Sequence, residues 1–147
     1  MLEQSNIEMR GKVSSSEMIR QCRAEAHAMF VPMSFSEQDR SNMEDGFPSK
    51  LADSTAVGVP VIIHGPKYSS AVRWACENLG VAEVVTDPTV EALLAALKRL
   101  QDPIRRVQLG AQAIERCRKH FSHSRAASLI YGRLSESISG RRSPTEP

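Results

Sequence analysis

Short apolar runs alternate with helix-like amphipathic stretches along this chain, and no other feature restricts its fold as much, because such alternation belongs to a parallel sheet with helical crossovers. The clearest run is VPVIIH, residues 59–64, continuously apolar as a parallel strand covered on both faces requires. HAMFVPM (27–33) and AEVVT (82–86) read the same way, and NIEMR (6–10) is a fourth, shorter candidate. Helix signals lie between them. Ser14 followed by Glu17 suggests a capping box ahead of Met18, Ile19 and Cys22. Pro48 suits the first turn of a helix that Gly58 ends, and a Ser cap opens another that runs to Gly80. Asp87-Pro88 opens a helix striped with Val90, Leu93, Leu94, Leu97 and Leu100, and Asp102-Pro103 opens one carrying Ile104, Val107 and Ile114. The segment Ser124–Leu134 reads as a last helix. The class is therefore α/β, an open, mostly parallel sheet of four strands flanked by helices.

Ligands of such sheets sit beyond the carboxyl ends of the strands. The segment EDGFPSKLADSTAVGVPVII (44–63) crosses that rim, after a polar loop (34–46) long enough to be functional or mobile. The first turn of a helix presents free N–H groups and a partial positive charge, to which Ser49 adds a hydroxyl and Lys50 a full charge, a combination that suits phosphate. Asp53 lies one turn beyond Ser49, and a carboxylate there suits a pair of sugar hydroxyls. A plainer reading stays open, with Ser49 and Asp45 as caps, Lys50 solvated and Asp53 a surface acid.

Composition removes several classes. The 147 residues carry a net charge of +2 and are 41% hydrophobic, which describes one soluble domain with material for a core. Basic residues are scattered among acids, so a nucleic-acid partner is not expected. No apolar run reaches the length of a membrane span and the first residues lack the apolar core of a signal peptide, so the expected location is cytoplasmic. Cys22, Cys76 and Cys117 are odd in number and far apart, which points to buried free thiols rather than a disulfide framework or a zinc site. His27 and His64 read as structural, Trp74 as core, and His120 and His123 as flanking a helix junction. HGPKYSS (64–70) suits either a phosphate loop or a plain strand-to-helix turn, and the Ser, Arg and Pro residues from 139 to 147 read as a disordered tail.

The stretch DGFPSKLADSTAVGVPVIIHGP (45–66) resembles the nucleotide-sugar site of GT-B fold glycosyltransferases of the glycosyl transferases group 1 type. That site has an acid, seven residues, a second acid, a helix of small residues and Gly-x-Pro-Val; the acids here are Asp45 and Asp53. Residues 8–35 are similar to the family's Gly-x-Val strand end, short helix and strand ending in Pro-Ser, and residues 88–122 to its closing helices.

The resemblance implies a Rossmann-like, partial GT-B C-terminal domain over residues 1–138 that binds a nucleoside diphosphate sugar, such as a UDP-sugar, and passes the sugar to an unknown acceptor in a complete enzyme. It implies no metal. Ser49 and Lys50 would hold the diphosphate beside Phe47 and Pro48, with backbone N–H groups of the 47–50 segment assisting. The catalytic parts would fall to Lys50, which steadies the departing nucleotide, and to Asp45, which faces the donor sugar; Asp53 would hold the ribose. The family carries Glu at both acidic positions, and the Phe-Pro-Ser-Lys form resembles a subset in which the first acid is often absent. Only the latter part of the second of two domains is matched, so the chain reads as a truncated piece, inactive alone. Any peripheral membrane contact would come through the missing domain. Two alternatives stand beside this reading: a non-catalytic nucleotide-binding or interaction module of GT-B fold, and a fragment of a nucleotide-sugar epimerase.

Overall fold

The computed structural model describes residues 8–139. Val61–His64 forms the central strand β2, with β1 (Met29–Pro32) and β3 (Glu83–Val85) on either side, all parallel. Val61, Ile62 and Ile63 are buried, as a strand covered on both faces demands. Helix α1 (Ser15–Glu25) precedes β1; α2 (Arg40–Asp45) and α3 (Ser49–Val57) link β1 to β2; α4 (Ser70–Glu77) links β2 to β3; α5 (Val90–Arg99), α6 (Pro103–Phe121) and α7 (His123–Ser139) follow. The α/β class and the parallel sheet flanked by helices thus stand.

Among the described residues the sheet has three strands rather than four. Glu8–Arg10 lie in no strand, Asn6 and Ile7 lie outside the described residues, and Arg10 instead pairs with Glu8 at 2.9 Å and Glu25 at 2.5 Å. This leaves β1 at an edge. Met29 and Met33 donate their N–H groups to the Pro60 and His64 carbonyls, so the intervening even positions turn theirs outward. Pro32, which has no N–H, falls on that outer side, where it costs the ladder nothing and leaves the edge one donor short.

The stretch 34–46 is largely helical rather than a loop. One 3-10 turn (Glu37–Asp39) runs into α2, held by Ser34 Oγ donating to Asp39 Oδ2 at 2.6 Å and by Arg40 reaching Glu37 and Glu44. Helix α2 buries no residue, so no apolar period announces it. At α1, Ser14 Oγ accepts the Glu17 N–H, but the Glu17 carboxylate turns to Arg20 and Gln21, so half of the capping box forms. Pro48 sits one place before α3 as its N-cap, with extended backbone, and Gly58 closes that helix at φ +84°. The start of α6 has its expected cap, with Asp102 accepting the Ile104 N–H.

Two apolar layers pack on the sheet. Val31, Ile63, Leu51 and Val72 belong to one, and Ile62, Val85, Ala96, Leu100 and Leu109 to the other. The expected stripes on α5 and α6 supply this second layer only in part: Leu100 is buried in it and Leu93 packs half-buried against it, whereas Val90, Leu94, Leu97, Ile104 and Val107 are exposed. Ala96 of α5 and Leu109 of α6 complete that layer, while Ala113 of α6 joins the first. The thiols are free, yet none is fully buried, and Cys76 is exposed. No helix among the described residues is long and apolar enough to cross a membrane. Ser139 ends α7, and the remainder of the expected tail, 140–147, lies outside the described residues.

Glu83 on β3 is only 5% exposed, and its carboxylate is shared by Arg99 of α5 and, at 2.6 Å, Arg105 of α6. This triad ties both helices to the sheet edge while the two guanidiniums stay partly hydrated. Replacing both arginines by Met would strand a buried carboxylate and is expected to cost about 3–5 kcal/mol. Glu83→Met leaves two hydrated cations and should cost less. Urea unfolding of the two variants measures the difference, and a larger loss for Glu83→Met would contradict this role.

Candidate functional site

Beyond the last residue of β1 the chain turns through Met33, whose N–H donates to the His64 carbonyl at the end of β2 at 2.8 Å. Pro32, Met33 and Ser34, with Met43 and Gly46 and the segment Phe47–Lys50, enclose a cleft of about 380 Å³ at this carboxyl rim. Helix α3 points its first turn into the cleft wall. Its N-cap is a proline, which offers no side-chain acceptor, so the Ser49 and Lys50 N–H groups have no side-chain cap, while the Leu51 N–H donates to the Pro48 carbonyl at 3.0 Å. Lys50 and Ser49 are exposed at that end.

Four of the six residues singled out from sequence, Phe47, Pro48, Ser49 and Lys50, therefore line one cleft. The two acids do not. Asp45 is the exposed last residue of α2, where its Oδ2 accepts from Ser41 Oγ at 3.5 Å. Asp53 is half-buried one turn into α3, on the side of the helix that carries Ser49. Sequence reasoning passed over the rest of the wall and, more consequentially, its brace on α4. Ser70 Oγ donates to the Gly46 carbonyl at 2.6 Å and Arg73 to the Glu44 carbonyl at 2.7 Å, so α4 satisfies the end of α2 and fixes the approach to Phe47. Polar residues on a helix face give no such warning in a sequence.

Phe47 is 43% exposed. It lines the cleft and also packs edge-on to Trp74 of α4 at 6.1 Å and against Phe121 at the end of α6 at 5.8 Å. His120 adds to this cluster, 6.2 Å from Trp74. Trp74 is half-buried, joining the core on one side and these rings on the other. His64 is satisfied structurally, as expected: its Nε2 donates to the Asp87 carbonyl at 2.9 Å, and its ring lies near Phe30 and Phe35. Among the described residues no three His, Cys, Asp or Glu side chains gather as a metal ion would need. Comparison with protein-family models, with characterised proteins and with solved structures returned no match.

Partial burial against the rings, and then the charges of Lys119, Arg116 and Arg125, hold the His120 pKa below its ordinary value. A depressed pKa means that the folded state resists protonation, so the stability it confers is full above roughly pH 6.5 and is lost as the pH falls further. The thermal midpoint should therefore drop on acidification from pH 7 to about 5.5, and His120→Gln should flatten that part of the profile. Thermal melts across this range test it; superimposable profiles for the variant and the parent would contradict it.

Proposed function

We propose that the cleft binds a nucleoside diphosphate and that the chain is the donor-binding part of a GT-B type glycosyltransferase, acting on a nucleotide sugar. The observation that supports this reading most is the convergence of an uncapped helix start, a serine hydroxyl and a lysine on one cleft beyond the carboxyl ends of parallel strands. Each of these groups donates hydrogen bonds or carries positive charge, and phosphate oxygens are the guests that use all of them. The ribose lies along α3 toward Asp53, one helical turn from the phosphates, and Asp45 lies toward the donor sugar. When the bond from the sugar to the diphosphate breaks, negative charge grows on the departing nucleotide, and Lys50 with the α3 N–H groups stabilises it. The acceptor approaches from a second domain in a complete enzyme, which is why transfer is assigned to the two-domain form and binding to this chain.

Calorimetric titration with UDP and with inorganic pyrophosphate tests the assignment. Lys50→Ala is expected to weaken both ligands alike, by on the order of 1.5–3 kcal/mol for a lost charge-assisted contact. Asp53→Asn should weaken UDP and spare pyrophosphate. Equal losses for both ligands in Asp53→Asn would refute the ribose assignment, and failure of the parent chain to bind UDP would refute the reading as a whole.

A further inference from the structure

Among the described residues nothing covers the outer stripe of α5. Val90, Leu94 and Leu97 are 66%, 49% and 44% exposed, while Leu93, Ala96 and Leu100 of the same helix turn to the sheet. The exposed three follow at intervals of four and three residues, which is the spacing of the seam between two paired helices. A second apolar face on a helix calls for a second neighbour.

The charges beside the stripe say which neighbour. Glu91 and Lys98 stand two helical turns apart on one flank of it, Glu91 in the first turn of α5 and Lys98 in the last. Both are exposed and neither pairs with an opposite charge among the described residues, whereas the adjacent Arg99 is engaged by Glu83. The other flank is Leu93 and Leu100, already committed to the core. A flank that is negative at one end and positive at the other complements itself under a twofold axis. When a second copy of α5 runs antiparallel across the stripe, with Leu94 level with Leu97, Glu91 and Lys98 of opposite copies fall within about 3 Å of one level along the axis. A parallel pair sets both charges against leucine flanks instead.

We propose that α5 is a self-association face, through which two copies of this chain pair with their α5 helices antiparallel, Leu94 of each against Leu97 of the other and Glu91 of each facing Lys98 of the other. The same patch serves on both copies, so the assembly closes at two. Helix α5 covers the layer of Ile62 and Val85 rather than that of Leu51 in α3, so the pairing leaves the rim cleft open and does not depend on what binds there. A ten-residue helix is about 15 Å long, which puts this contact at the small end of specific interfaces, and the dimer exchanges with monomer.

Sedimentation of the whole chain over a range of concentrations, at low and at high salt, tests this. The parent should pass from monomer to dimer as concentration rises, and less readily at high salt. Leu94→Glu should abolish the dimer. Glu91→Lys and Lys98→Glu each set two pairs of like charges face to face, and each should raise the dissociation constant about tenfold. The double reversal restores opposite charges and should return to within about threefold of the parent. That rescue is diagnostic, because Glu91 in the first turn and Lys98 in the last both suit the helix dipole, so a loss acting through helix stability would be largest in the double variant. A double reversal no better than either single one would overturn the proposal, as would a dimer indifferent to Leu94→Glu or a parent that stays monomeric. A monomeric parent that floats with phosphatidylcholine vesicles, and ceases to in Leu94→Glu, would assign the stripe to a lipid surface instead.

Discussion

The crossing of α6 over the turn that ends α3 is the contact on which the rest of the structure depends. A Cβ on Gly110 would run into the carbonyl oxygen of Gly58, so the α6 backbone approaches that turn as closely as only a glycine at 110 permits. Gly58 also holds the left-handed φ of +84° that stops α3 and turns the chain into β2. One glycine ends a helix and the other lets a second helix lie down upon that end. With its C-terminus held there, α3 runs about 13 Å back toward the strand ends and delivers its first turn to the rim. Leu109 and Ala113, on either side of Gly110, fill the two apolar layers that meet around this crossing.

What could be read in the sequence and what could not divide along the same physical line. VPVIIH, the Gly58 stop and the Asp102 cap are local signals: burial on both faces, a left-handed residue and a side chain bonded two residues on need no knowledge of the rest of the chain. The convergence of Phe47, Pro48, Ser49 and Lys50 on one cleft followed from the same local logic, because a helix start after a parallel strand points to the rim. Features that depend on distant partners were not legible. Leu94 and Leu97 share a helical stripe with Leu100, but the stripe is wider than the contact, which Ala96 makes with its small side chain. The strand expected at 6–10 needed a neighbour to pair with, and Arg10 found two carboxylates instead. The α4 brace of Ser70 and Arg73 joins residues 24 and 29 apart in the chain, and nothing in either polar side chain announces its carbonyl.

Phe47 links the cleft to the rest of the molecule. Its ring lines the cleft and also meets Trp74 and Phe121, so it joins the cleft wall to the end of α6. A ligand that orders Phe47 therefore also favours the packed form of that cluster, and binding stabilises the fold by mass action rather than by any new contact within the core. The polar brace works in the same direction. By holding the Glu44 and Gly46 carbonyls, α4 keeps the approach to Phe47 in one conformation before any ligand arrives, which lowers the ordering cost of binding.

The central claim, that the rim cleft is a nucleotide site built on the α3 start, is tested most directly by backbone amide chemical shifts recorded as UDP is added to the isotope-labelled chain. The account predicts that the amides of Phe47, Ser49, Lys50 and Leu51 move together along one saturable titration, while those on the far side of the sheet, such as Ala96 and Leu100 in the layer under α5, stay in place. Saturable shifts confined to another surface, or no shift within 47–51 at saturating UDP, would contradict it.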